Sequence, residues 1–166
     1  FTRLVRAYAG VGPQRGIPLV VAGGENRFLS EGELREPEAL GIAEWVRWPG
    51  WIEQEDLAGF YALAEALLLP SIFESCGLPV LEAMAAGCPV VTADRYGTKE
   101  LAEGAAVLVD PESVDSIATG IRRVLEDQSL RAELVAAGRE RSRDFTWQRC
   151  AAGTIEVLER VKNARG

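Results

Sequence analysis

PSIFESCGLPVLEAMAAG, residues Pro70 to Gly87, begins where the apolar run Ala66-Leu67-Leu68-Leu69 stops. It crosses a short polar loop and turns into a compact apolar helix. Glu74 lies in the loop and Glu82 in the helix, eight residues apart, with Ser75, Cys76, Gly77 and Leu78 between them and Pro79 at the expected first helical position. A strand, a loop of exposed amides and a helix begun through glycine and proline make a ready anion site. Gly77 allows close backbone approach, and Pro79 removes an amide that a helix start would leave unpaired.

Outward from this stretch the chain alternates. Thr2 to Val11 carries Leu4, Val5, Tyr8 and Ala9 at helical spacing. Pro18 to Ala22 reads as a buried strand closed by Gly23-Gly24. Ser30 to Ala43 reads as a helix interrupted near Pro37, and Trp45 to Trp48 as a strand closed by Pro49-Gly50. Gln54 to Glu65 shows helical periodicity through Leu57, Phe60, Tyr61 and Leu63. After the strand Ala66–Leu69 and the helix Pro79–Ala86 come strands at Cys88–Thr92 and Ala105–Val109, with a short helix near Lys99–Glu103. Three helices close the chain, over 114–125, 130–142 and 146–161. Short strands alternating with helices predict a doubly wound parallel sheet covered on both faces, in one domain over residues 1–166. Ligands of such sheets sit outside the carboxyl ends of the strands. Pro70–Leu78, Gly23-Gly24, Pro49–Trp51 and Ala93–Gly97 all fall at such ends.

Bulk properties narrow the function. The 166 residues suffice for a full core. A net charge of −7 argues against nucleic acid or an anionic membrane as the main partner. No apolar run is long enough to span a bilayer. Cys76, Cys88 and Cys150 are odd in number and lack C-x-x-C spacing, which suits a reducing cytoplasm. Histidine is absent, which removes imidazole catalysis and the commonest metal ligand, so no metal is expected.

The two glutamates carry the chemistry. Glu82 is the single charge of an otherwise apolar helix, and an enclosed carboxylate needs a partner. A salt bridge to an arginine or lysine would satisfy it. So would the hydroxyls of a ribose, which dinucleotide folds also hold with an acidic side chain. Glu74 is either a solvated charge or a hydrogen-bond acceptor for whatever a phosphate at the helix end carries.

The string FESCGLPVLEAMAAGCPVV resembles the Glu-x7-Glu motif of the glycosyl transferases group 1 family, retaining enzymes of the two-domain GT-B fold. LVVAGGE, VRWPGWIEQEDLAGFYALAEALLLPS, AAVLVDPESVDSIATGIRRVLED and FTWQRCAAGTIEVLERV resemble further parts of the family's C-terminal half. The resemblance implies that this segment binds the donor, a nucleotide diphosphate sugar. Glu74 would touch donor-sugar hydroxyls and is the candidate catalytic residue. Ser75, Cys76, Gly77 and Leu78 would offer amides to sugar and diphosphate, and Glu82 would hold the ribose. Ile52 would meet the base with its backbone. Gly24 is a candidate donor contact, although a plain strand-to-helix turn explains Gly23-Gly24 equally. Trp48 and Trp51 read as rim packing or as base-stacking groups.

The resemblance also implies parts ahead of residue 1: an acceptor-binding N-terminal domain, a strand, and Gly-Arg and Lys-Gly pairs whose cations neutralise the diphosphate. In the usual dinucleotide-fold order that strand is central, so the sheet built from these residues alone is expected to be interrupted. The segment Asp94–Leu101 stands where the family has Gly-Gly-x-Pro-Glu. It keeps Gly97 and Glu100 but lacks the proline, which puts its contact with substrate in doubt. The implied acceptor is a glycan or lipid, and the implied location is cytoplasmic or peripheral at a membrane. Two rivals stand beside this reading. One is a non-catalytic nucleotide-sugar-binding or assembly module. The other is a sugar-nucleotide epimerase, against which the lack of histidine weighs.

Overall fold

The computed structural model describes residues 1–23 and 29–164, so Gly24 lies outside the described residues. Among the described residues eight α-helices and five strands follow the expected alternation: α1 Thr2–Ala9, β1 Leu19–Ala22, α2 Glu31–Ala39, β2 Val46–Gly50, α3 Gln54–Leu63 and β3 Leu67–Leu69. The second half comprises α4 Leu78–Ala86, β4 Val90–Ala93, α5 Tyr96–Ala102, β5 Val107–Val109, α6 Val114–Glu126, α7 Gln128–Ser142 and α8 Trp147–Asn163.

Every strand pairing is parallel, in two separate sheets. β1 pairs with β2, setting Leu19 against Val46 and Ala22 against Gly50. β3, β4 and β5 form the other sheet in that order, setting Leu68 against Val91 and Val91 against Val107. Among the described residues no ladder joins the two sheets.

Alternation along the strands sorts side chains to two cores. Val91, Val107 and Val109 join Val5 and Tyr8 of α1 with Ile117, Ile121 and Val124 of α6. Their neighbours Val90, Leu67, Leu69 and Leu108 point the other way, onto Val80, Ala83 and Met84 of α4 and Ala102 of α5. β4 is buried along its whole length. α1 and α6 cover the first core together, spanning residues of both sheets. Tyr8 adds a polar tie by donating its hydroxyl to the Ile17 carbonyl at 2.6 Å.

Local signals explain most boundaries. Ser30 caps α2 through a capping box with Glu33. Ser113, Asp127 and Thr146 cap α6, α7 and α8. Two expectations need correction. Pro37 does not interrupt α2. It sits buried in the last turn, where the helix is about to end anyway. α5 begins three residues earlier than expected, at Tyr96, because Thr98 anchors that turn by donating to the carbonyls of Ala93 and Arg95. α3 buries little: Phe60 and Leu63 are exposed despite their spacing. α8 is exposed throughout and shows Trp147, Ile155, Leu158 and Val161 to solvent. No helix among the described residues is long and apolar enough to cross a membrane.

Candidate functional site

The loop after β3 and the start of α4 form the centre of the site. Gly77 takes a left-handed φ of 74° and caps α4, which places Leu78 first and Pro79 second in the helix. The sequence put Pro79 first; at the second position its missing amide is still one of the unpaired four. No side chain caps α4. The amides of Ser75, Cys76, Gly77 and Leu78 meet no acceptor among the described residues. Ser75, Cys76 and Leu78 are exposed and Gly77 is buried. The positive end of the helix dipole therefore faces outward through a collar of backbone donors.

A second loop fastens this one. The Gly97 amide donates to the Glu74 carbonyl at 3.2 Å. A Cβ at Gly97 would stand 2.3 Å from the Ser75 carbonyl oxygen, so only glycine allows this approach. A Cβ at Gly77 would likewise meet Thr98 Cγ2 at 3.2 Å. Tyr96 is the one non-glycine with positive φ among the described residues, at 49°. Its exposed ring lies 5.4 Å from that of Phe73, next to Glu74. Strained backbone of this kind, costing about 1–3 kcal/mol, gathers at functional sites. This loop touches the Glu74–Gly77 loop directly. Its cations are occupied locally, Lys99 by Asp94 at 2.8 Å and Arg95 by Asp110 and Glu112.

Glu74 and Glu82 sit in different surroundings, both half-buried. Glu82 makes no ion pair among the described residues. Its partner is Tyr61 of α3, whose hydroxyl donates to Glu82 Oε2 at 3.1 Å. Burial, helped by the carboxylate charge, raises the Tyr61 pKa well above its ordinary value, so the hydroxyl keeps its proton and remains a donor. A cleft of about 320 Å³ between α3 and α4 is lined by Gln54, Leu57, Ala58, Tyr61 and Glu82. Ile52 precedes α3 by two residues and is half-exposed, but it does not line this cleft. Trp48 packs its ring 5.6 Å from Phe1, in keeping with rim packing, whereas Trp51 is 71% exposed. A further cleft, about 440 Å³, runs from Phe1 and Arg3 past Leu68 and Leu69 of β3 to Pro70 and Phe73.

The cysteines divide by environment. Cys88 is buried, and burial pushes its thiol up to about 11. Cys76 and Cys150 are exposed. Iodoacetamide at pH 8 is expected to modify Cys76 and Cys150 and to spare Cys88, as peptide mass mapping would show. Labelling of Cys88 in the folded chain would contradict this placement.

Sequence reasoning overlooked Tyr61 and Thr98. The helical spacing reads Tyr61 as one more apolar position of α3, and its hydroxyl was the signal of a polar partner.

The model of the "Glycosyl transferases group 1" family matches residues 1–141. O-antigen chain mannosyltransferase B of Escherichia coli is 38% identical over 143 residues, covering 86% of this chain and 37% of that protein. Among solved structures, sucrose-phosphate synthase from Thermosynechococcus elongatus superimposes with a TM-score of 0.82 at 28% identity, over 98% of this chain and 42% of that one. Anabaena HepE, solved in complex with UDP and glucose, gives 0.83 at 24% identity, over 95% and 44%. The chain spans less than half the length of each of these proteins.

Proposed function

We propose, from the premise that this chain belongs to the glycosyl transferases group 1 family, that it is the donor-binding half of a retaining glycosyltransferase using a nucleotide diphosphate sugar. The observation that carries the reading is the collar of unpaired amides at Ser75–Leu78, on a helix with no side-chain cap, flanked by two half-buried carboxylates. The diphosphate would lie against these amides. Negative charge grows on it as the glycosidic bond breaks, and donors already aimed at that charge lower the barrier without reorganising. Glu82 would accept hydrogen bonds from ribose hydroxyls, and Glu74 would hold hydroxyls of the transferred sugar. Ile52 would meet the base with its backbone. The fold shared with HepE, solved with UDP and glucose, is consistent with such a ligand.

The acceptor, a glycan or a lipid, would be positioned by a further half, with chemistry in the cleft between them. The lack of a ladder between the two sheets among the described residues, the cleft beside β3 and the exposed apolar residues of α8 support the idea that more polypeptide completes this unit. Residues 1–166 alone would then bind donor weakly and transfer nothing.

Calorimetric titration of UDP, GDP and ADP is the first test. Glu82→Ala is expected to weaken the tightest of them by about tenfold to a hundredfold, the worth of hydrogen bonds to a charged group. The same nucleotide is expected to slow alkylation of Cys76 and leave Cys150 unaffected. The complete natural chain that carries these residues is then assayed with labelled nucleotide sugars. Binding without turnover of any donor would instead favour the non-catalytic module.

A further inference from the structure

Glu82 has two carboxylate oxygens, and the structure uses one of them. The Tyr61 hydroxyl donates to Oε2 at 3.1 Å, across the α3–α4 contact. No other donor reaches the carboxylate among the described residues. The tyrosine is itself held: its ring packs against the core formed by Val80, Ala83 and Met84. α4 is seated on that same core, so hydroxyl and carboxylate are both presented from rigid elements. Gln54, in the first turn of α3, lines the same cleft.

We infer that Tyr61 is a positioning residue: its hydroxyl occupies Glu82 Oε2 and turns Oε1 toward the ribose hydroxyls of the bound nucleotide. This rests on the reading of Glu82 as the ribose-holding group. A carboxylate on three rotatable bonds loses rotamer freedom when it grips a ligand, and a partner that has already fixed its rotamer removes part of that cost. The Tyr61 hydroxyl is spent on Glu82, so its influence on the nucleotide passes through that carboxylate. It also ties α3, which follows the loop proposed to meet the base, to the carboxylate proposed to meet the sugar of the same nucleoside.

The test compares Tyr61→Phe with Glu82→Gln in the complete natural chain. Phenylalanine keeps the ring and its packing, and thermal unfolding checks that each variant folds. Each is titrated with the tightest of UDP, GDP and ADP and then with its 2′,3′-dideoxy counterpart, which lacks the ribose hydroxyls. Tyr61→Phe is expected to bind the ribonucleotide about three- to tenfold more weakly, as loss of one net hydrogen bond would give, and the dideoxy nucleotide unchanged. With a turned-over donor, KM is expected to rise by the same factor while kcat stays within twofold. An equal loss for both nucleotides, or no loss, overturns the inference if Glu82→Gln still discriminates between them, and the ribose reading then stands without Tyr61. If Glu82→Gln weakens both nucleotides equally, the ribose reading itself has failed and the inference falls with it.

Discussion

Replacing Gly97 with alanine is expected to lower kcat/KM in the complete natural chain by about a hundredfold while the domain stays folded. The added Cβ would stand 2.3 Å from the Ser75 carbonyl oxygen, 2.7 Å from its carbonyl carbon and 3.0 Å from the Glu74 oxygen. All three are backbone atoms, so no rotamer change relieves the overlap. The loop carrying Glu74, Ser75 and Cys76 must retreat by on the order of an ångström, and a misplacement of that size typically costs about 10²-fold in rate. The 3.2 Å hydrogen bond from the Gly97 amide to Glu74 would be lost as well. Gly97 has no positive φ, and it lies in the first turn of α5, where alanine has the better intrinsic propensity by about 1 kcal/mol. Propensity and contact thus predict opposite signs. Wild-type nucleotide affinity and turnover in Gly97→Ala would show that the 95–98 turn does not hold the donor loop in place.

Two other helical glycines are expected to differ in sign for stability. Gly120 of α6 faces the three-stranded sheet. A Cβ there would lie 2.5 Å from Val109 Cγ1 and 3.1 Å from Val91 Cγ1, both on buried β-branched side chains with no room to rotate. Gly120→Val is expected to destabilise the chain by about 2–4 kcal/mol, in the range of core overpacking with an unfavourable helix residue added. For a domain of this size that lowers Tm by roughly 5–15 °C. Gly153 of α8 has nothing within 4 Å of its virtual Cβ. Gly153→Ala is expected to stabilise by up to about 1 kcal/mol through helix propensity alone. Thermal or urea unfolding of the two variants, side by side, decides. A Gly120→Val chain as stable as wild type would mean that α6 does not pack on β4 and β5 as described.

Much of the fold was legible because its signals are short-range. The apolar runs before Pro70 and after Gly87 are strands, and the stretch between them is a loop and a helix, as Gly77, Pro79 and Gly87 dictate. α6 and α8 start within a residue of the expected 114 and 146, where Ser113 and Thr146 cap them. α5 was misplaced because its start depends on Thr98 reaching the end of β4, a contact with no local sequence signature. α3 looked amphipathic, yet Phe60 and Leu63 face outward, because periodicity reports a stripe and not what covers it.

The candidate site divides along the same line. Glu74, Ser75, Cys76, Gly77, Leu78 and Glu82 were legible as a group, since they follow one another along a single strand–loop–helix unit whose conformation is settled by backbone preferences within a few residues. The partners that hold them were not. Gly97 presses on Ser75 from 22 positions away in the chain, and Tyr61 meets Glu82 from 21 positions before it. Which side chains meet across such distances depends on how helices seat on a sheet, and that is settled by the packing of the whole core rather than by any local pattern. The sequence alone determined a loop of amides with a carboxylate on either side; the tertiary structure decided that the 95–98 turn pins that loop and that the half-buried Tyr61 donates its hydroxyl to one of the carboxylates.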